Sequence, residues 1–466
     1  MRILNCLGAA ALLLSTFVAA PSVNAQTAAN LAALRGLAPV AALQNTDAGK
    51  AALAANLAVT GAIQQGTANQ PGLRPFAEEQ QQALRDAFIT GGNALELADG
   101  LGTKLDGAYQ AVVQYKSADD GKTSAFTNLS PAVAHLIAYA STTERADSAL
   151  AKFFFANETL DGKTRASGAA IGILTAIAGS PDFFGKAYGR PAGSDGANRY
   201  GNSRPFMTQP HLLVFEGKDF FGVQSGNLAY LRGPAQDLVN SPSYPSGHTA
   251  YGYTEALLLA LLVPERYPEM VARAAEYGNS RIIMGAHYAM DVLGGRTLAT
   301  YDLAQLLANR PGYAGVNRHG LVIGDFRKAV RAARADLARV LASGCGNRVV
   351  VCARQDDGRF ADPAKDQAFY EATQTYGLPV VHQQAAAAPE DVAKLAPEAG
   401  YLLTVAFPYL TLARADAILT ATEGPGGGFL DDGSAFGVYS RLDLYRASKE
   451  AIAAGHDRHR GKTGNP

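Results

Sequence analysis

The 466-residue chain predicts a mainly α protein: a helical core followed by a smaller C-terminal α+β extension. Three observations carry this. From about residue 80 to 180, and again from Ala250 to about Leu307, apolar residues recur at threes and fours, the period of a helix with a buried face. Between these regions, residues 186–245 are dense in Gly, Pro, Ser and Asn, which marks loops. After Pro311 an amphipathic run, "DFRKAVRAARADLARVLA", is followed by "NRVVVCA", "YGLPVVH" and "GYLLTVAF", which read as strands, with short helices between and after them.

Residues 1–25 read as a secretory signal peptide. Arg2 gives a basic start, Leu7 to Ala20 is an uncharged apolar run, and Val23-Asn24-Ala25 supplies small residues before a cut at Gln26. The run is short for a membrane span, and Cys6 precedes it, which excludes a lipidation cysteine. The mature protein is therefore expected in the periplasm or outside the cell. Residues 26–75, rich in Ala, Gln, Asn and Gly with weak periodicity, are expected to form a loosely packed lead segment. Residues 76–310 form the helical domain. Its most apolar run, Ala256 to Val263, stops at Pro264-Glu265-Arg266 and is too short to cross a bilayer. No transmembrane segment is expected in the mature chain. Residues 311–466 are the extension, with no role legible in them.

Hydrophobic residues make up 48% and charged residues 18%, and the net charge is zero. Nothing general attracts nucleic acid or an anionic membrane, so any anion site has to be a local basic cluster. Once the leader is removed, the cysteines left are Cys345 and Cys352. In an oxidising compartment "CGNRVVVC" reads as a local disulfide; its spacing is longer than that of a zinc pair.

Three segments belong together: "RYGNSRPF" with Arg204, "PSYPSGHTA" with Ser246, Gly247 and His248, and "SRIIMGAHYAMD" with Arg281, His287 and Asp291. Their chemistry suits a tetrahedral oxyanion. Arginines present fixed donors that match phosphate oxygens in pairs. Ser246 adds a hydroxyl, and Gly247 lets the backbone approach at the start of a helix, where amides favour anions. Read as one helix, the third segment puts His287 and Asp291 at i and i+4, a pairing that fixes the imidazole tautomer. One histidine can attack phosphorus while neutral; the other can protonate the leaving oxygen.

These segments resemble the signature of the type 2 phosphatidic acid phosphatase (PAP2) superfamily, which includes the bacterial class A acid phosphatases and the vanadium haloperoxidases. The family pattern is Lys-x6-Arg-Pro, Pro-Ser-Gly-His, and Ser-Arg-x5-His-x3-Asp. The second and third are complete here, and the match runs from about Ala197 to Asp291. The resemblance implies an all-α PAP2/haloperoxidase-like bundle. It implies His287 as nucleophile, Asp291 as its orienting carboxylate and His248 as general acid. Arg204, Ser246, Gly247 and Arg281 would cradle the phosphate. Ser280 matches the signature but is given a packing or capping role. The first motif departs from the pattern, because Ala197 stands where the lysine belongs. Either Arg199 replaces it, or another loop does, or the site runs with one cation fewer; Lys186 and Arg190 lie further upstream.

The function implied is a secreted phosphatase for small-molecule phosphate monoesters, working through a phosphohistidine at acidic to neutral pH, with no cofactor and no catalytic metal. Vanadate would be an inhibitor. Two alternatives stand beside it: a vanadium haloperoxidase holding vanadate at the same site, and a non-enzymatic binding protein on a relic core. Other candidates carry less. His135 reads as a core histidine, His211 as a residue of the pocket rim, and His456 and His459 as part of a solvated tail. "LDDGS", Leu430 to Ser434, falls short of a calcium loop, and "GPGGG" lacks the ending of a phosphate loop.

Overall fold

The computed structural model describes residues 27–69, 71–87, 94–113, 116–117, 124–125, 130–193, 199–209, 211–232 and 238–463. The leader assigned to residues 1–25 lies outside them. Among the described residues the secondary structure is helical apart from two small antiparallel hairpins, β1–β2 (Lys116–Ser117, Ser124–Ala125) and β3–β4 (Glu216–Lys218, Gln224–Gly226). No described helix is long and apolar enough to cross a membrane.

The chain enters through α1 (Ala28–Leu37), a 3₁₀ stretch (Ala38–Asn45) and α2 (Asp47–Gln64). Thr27 and Thr46 cap the two α-helices by accepting from the amides of Asn30 and Gly49. The loose packing expected of this segment is not found. Leu34, Leu37, Val40 and Leu43 are buried in one cluster with Phe154, Phe155, Phe183 and Tyr244. Alanine explains the difference. It blurs the amphipathic pattern, yet it is the best helix former and lets helices approach closely.

Next come α3 (Phe76–Asp86), α4 (Thr103–Val112) and the long α5 (Pro131–Asn157). Shorter helices follow in the loop-rich region: α6 (Gly168–Ala176), α7 (Phe183–Ala187), α8 (Pro205–Thr208) and α9 (Asn227–Arg232). The centre is built from α10 (Gly247–Leu262), α11 (Tyr267–Ile283) and α12 (Ala289–Leu307), which pack on one another, with α5 against α10 and α12. In α11 and α12 every residue but Glu269 and Tyr301 is buried. A helix buried on all sides needs its polar groups partnered. Arg273 meets Asp86 and Asp99 at 2.6 Å each, and Ser280 donates to Asp86 at 2.8 Å.

The C-terminal residues continue as α13 (Phe326–Cys345), α14 (Val349–Cys352), α15 (Pro363–Thr375), α16 (Val392–Leu395), α17 (Tyr401–Thr404), α18 (Leu412–Ala421), α19 (Val438–Arg441) and α20 (Leu444–Thr463). The three strands expected here are corrected. In "NRVVVCA", Val349–Cys352 is a helical turn, tied back to the end of α13 by the Cys345–Cys352 disulfide. "YGLPVVH" is irregular, and the amides of Val381 and His382 both donate to the Gly427 carbonyl. "GYLLTVAF" contains α17, with Leu402, Leu403, Ala406 and Phe407 buried. Short apolar runs do not separate a buried strand from a buried helix.

The extension also shares the core. Phe326, Leu337, Leu402 and Tyr439 lie in the same apolar cluster as Leu257, Tyr267 and Leu303. Arg296 of α12 reaches out to it, donating to the Tyr370 hydroxyl at 2.7 Å and the Leu442 carbonyl at 3.2 Å.

Candidate active site

The third motif is not one helix. α11 ends at Ile283, and Gly285 takes φ +74° to turn the chain. A β-carbon there would stand 2.3 Å from Leu212 Cδ1, so that side chain would also have to shift. His287 lies in the turn, and α12 starts at Ala289 with Asp291 in its first turn. Asp291 accepts from the Tyr288 amide at 2.8 Å, as an N-terminal capping carboxylate does. The i, i+4 pairing therefore forms across a helix start, where the dipole favours negative charge, and not along a helix face.

His287 Nδ1 lies 3.2 Å from Asp291 Oδ2, and both side chains are fully buried. The same oxygen also accepts from the Ser243 hydroxyl. On the other side of the ring, Arg204 Nη1 stands 3.0 Å from His287 Nε2. A guanidinium can only donate. Nε2 is therefore the acceptor, and the ring carries its proton on Nδ1, facing Asp291.

Arg204 precedes α8 and is fully buried. Its remaining donors go to the carbonyls of Ser241 (2.7 Å), Ala286 (3.0 Å) and Pro242 (3.2 Å), and to the Ser241 hydroxyl (3.1 Å). The loop before it is anchored at Asn202, whose amide donates to Asp182 at 2.6 Å and whose side chain accepts from the Phe184 amide at 3.2 Å.

The second motif opens α10. Ser246 caps the helix, its Oγ accepting from the Thr249 amide at 3.1 Å, which leaves the hydroxyl proton free to donate. The Ser246 amide donates to the Asp291 carbonyl at 3.0 Å, stitching the second motif to the third. His248, in the first turn, has its ring centroid 5.8 Å from that of His287. Arg281 is buried at the end of α11, with its guanidinium 5.0 Å from the Tyr277 ring centroid and a bond to the Ala83 carbonyl at 3.2 Å.

Both imidazoles are held well below their ordinary range, by burial first and then by cations. For His287 these are Arg204 and Lys152, with His248 and Arg281 further down; for His248 they are Arg281, Lys152 and Arg204. Burial pushes the Asp291 carboxyl up to about 7, against the pull of Ser243, the Tyr288 amide, Arg204 and Lys152. The site thus keeps a neutral ring inside a positive cage, a setting that favours an incoming anion.

The structure brings Arg204, Ser246, Gly247, His248, Arg281, His287 and Asp291 together. Arg199 is exposed, 5.4 Å from the Tyr200 ring centroid, and Ala197 lies outside the described residues. The sequence reading missed Lys152 of α5. A β-carbon on Gly247 would meet Lys152 Nζ at 3.3 Å and Ser148 Oγ at 3.5 Å. The signal was a polar stripe, Glu144, Ser148 and Lys152, spaced by four in a largely buried helix.

His135 was expected in the core but is exposed on α5. His211 and His456 are exposed as well. Asp431 of "LDDGS" is buried and accepts from the Gly427 amide at 2.5 Å, a structural use. Among the described residues no group of three or more His, Cys, Asp or Glu side chains is arranged to hold a metal.

Comparison with known proteins agrees with this geometry. Residues 198–307 match the PAP2 superfamily. A non-specific acid phosphatase of Salmonella typhimurium is 50% identical over 64 residues, 14% of this chain and 26% of that protein. An acid phosphatase of Zymomonas mobilis is 33% identical over 117 residues, 25% of this chain and 39% of its own length. A non-specific acid phosphatase of Providencia stuartii is 38% identical over 90 residues, 19% and 35% of the two chains. The chain therefore spans between about a quarter and two fifths of the relatives it matches. Over residues 198–307 the chain is similar to the PAP2 superfamily, and around that segment it resembles the non-specific acid phosphatases.

Proposed function

We propose that the protein is a secreted phosphomonoesterase that works through a phosphohistidine. The observation that carries this is the fixed tautomer of His287: Nδ1–H toward Asp291 and the Nε2 lone pair toward the Arg204 guanidinium. A phosphoryl group drawn in by the charges of Arg204 and Arg281 and held by the Ser246 hydroxyl and the amides at the start of α10 would meet that lone pair, displacing the Arg204 donor from Nε2.

In the first step Nε2 attacks phosphorus and the P–O ester bond breaks. The leaving oxygen takes a proton from His248, and positive charge on the His287 ring is supported by Asp291. In the second step His248 accepts a proton from water, the oxygen attacks phosphorus and the P–N bond breaks, releasing phosphate and restoring His287. In the free site burial, and then the surrounding cations, keep His248 neutral. The charge of a bound phosphate ester offsets them and draws the proton onto the ring.

The test is hydrolysis of p-nitrophenyl phosphate in chelator-treated buffer, set against bromination with added vanadate and peroxide. Hydrolysis without bromination supports the phosphatase. Bromination without hydrolysis would make the site a haloperoxidase, and neither activity would favour a binding role.

A further inference from the structure

Resting on the phosphatase reading above, we propose that Lys152 of α5 supplies the oxyanion cradle with the cation that the family pattern puts at Ala197. The substitution is between elements: a lysine on the helix packed against α10 takes over from one on the loop before Arg204.

Position argues for it first. With Nζ 3.3 Å from where a Gly247 β-carbon would be, the ammonium stands over the start of α10, beside the Ser246 and Gly247 donors. Lys152, together with Arg204 and Arg281, lowers both imidazoles electrostatically. It is half-buried and, among the described residues, ion-paired to no carboxylate, whereas the buried Arg273 has Asp86 and Asp99. A desolvated ammonium without an ion-paired acid gains most from a bound anion. Arg199, by contrast, is exposed and stacked toward Tyr200.

A lysine differs from an arginine here because it can lose its charge. Lys152 is faced by Arg204 from the loop before α8 and by His248 from α10. His287 and Asp291 face it from the start of α12, and Glu144 lies on its own helix. Burial and Arg204 lower it and Glu144 and Asp291 raise it, which leaves it at about 7. The cation is present below that pH and lost above it, so the free cradle weakens toward anions as the medium turns alkaline.

The experiment compares the wild type, Lys152→Met and Lys152→Arg, using inhibition of p-nitrophenyl phosphate hydrolysis by phosphate and by vanadate between pH 5 and 9. Lys152→Met should weaken both inhibitors and lower kcat/KM on the order of 100-fold, as loss of one oxyanion donor does. Lys152→Arg should keep inhibition on the alkaline side of 7, where that of the wild type fades. The anions' own ionisation is common to all three proteins and cancels in the ratio. Unchanged inhibition of a folded Lys152→Met protein overturns the proposal. So does a Lys152→Arg profile that tracks the wild type, which remains a test even if the Met variant does not fold. An Arg199→Ala variant that loses more inhibition than Lys152→Met would hand the role to Arg199. If the wild type hydrolyses nothing, vanadate binding by calorimetry still reads the cradle: weakening by Lys152→Met then supports this inference while the phosphatase reading falls.

Discussion

Arg204 Nη1 and His287 Nε2 stand 3.0 Å apart, on the side of the ring opposite Asp291. One contact therefore does two things. It fixes which nitrogen carries the lone pair, and it sets a buried positive charge beside that nitrogen. His287→Ala should abolish hydrolysis. Asp291→Asn should fold yet lose about four powers of ten in kcat, the scale seen when a carboxylate stops orienting a catalytic imidazole. Turnover within tenfold of wild type in either variant would contradict these roles.

His248→Ala should discriminate between leaving groups. Alkyl phosphates need the proton and should slow by about 10²–10⁴. p-Nitrophenyl phosphate has a leaving group that departs as an anion and should slow much less. Equal losses on both substrates would remove His248 as the acid.

The two imidazoles are depressed by burial and by Arg204, Arg281 and Lys152. A lowered value means the neutral ring persists as pH falls through the range where an ordinary histidine, at about 6.5, becomes charged. In the free protein the ring-proton NMR signals of His248 and His287 should stay flat from pH 8 down to about 5.5. An ordinary inflection at either site residue would contradict the positive cage.

Gly285→Ala should cost stability and activity together. Its φ of +74° carries a penalty of about 1–2 kcal/mol for a residue with a β-carbon, and the Leu212 side chain would have to move aside for the added methyl. Gly285 also lies in the turn that carries His287 between α11 and α12. A fall in the urea midpoint with kcat unchanged would show that the turn does not position the nucleophile.

The motif residues were legible because each group is contiguous and chemically specific: Ser246-Gly247-His248 at a helix start, and Arg281, His287 and Asp291 across one turn. The shape joining them was not. Read by period alone, Ser280 to Asp291 continues as a helix; the break depends on Gly285 at positive φ beneath Leu212, a tertiary contact. Lys152 escaped because its partner in space, Gly247, is far along the chain, and a lysine at helical spacing reads as a solvated face. His135 failed in the other direction: its apolar neighbours Val133, Leu136 and Ile137 suggested burial, but they define the opposite face of α5. Strands were expected after residue 311 because Val- and Leu-rich runs of a few residues look alike whether extended or coiled. The cysteine pair was read correctly from spacing and compartment.

That pair offers a separate check. With Cys345 and Cys352 both changed to Ser, the short closed loop is released, and stability should fall by about 2–3 kcal/mol with kcat unaffected. Thiol labelling of the unreduced, unfolded protein should find no free cysteine from this pair.

The central claim is that His287 carries the phosphoryl group. Its most direct test is to mix the enzyme with a fast-reacting aryl phosphate, quench at alkaline pH, where phosphohistidine survives, and map the adduct by mass spectrometry. A phosphoryl group on the peptide bearing His287, absent from His287→Ala and accumulating when transfer to water is slowed, is the predicted result. Steady hydrolysis by the wild type with no adduct at any time, or with the adduct on another residue, would contradict it.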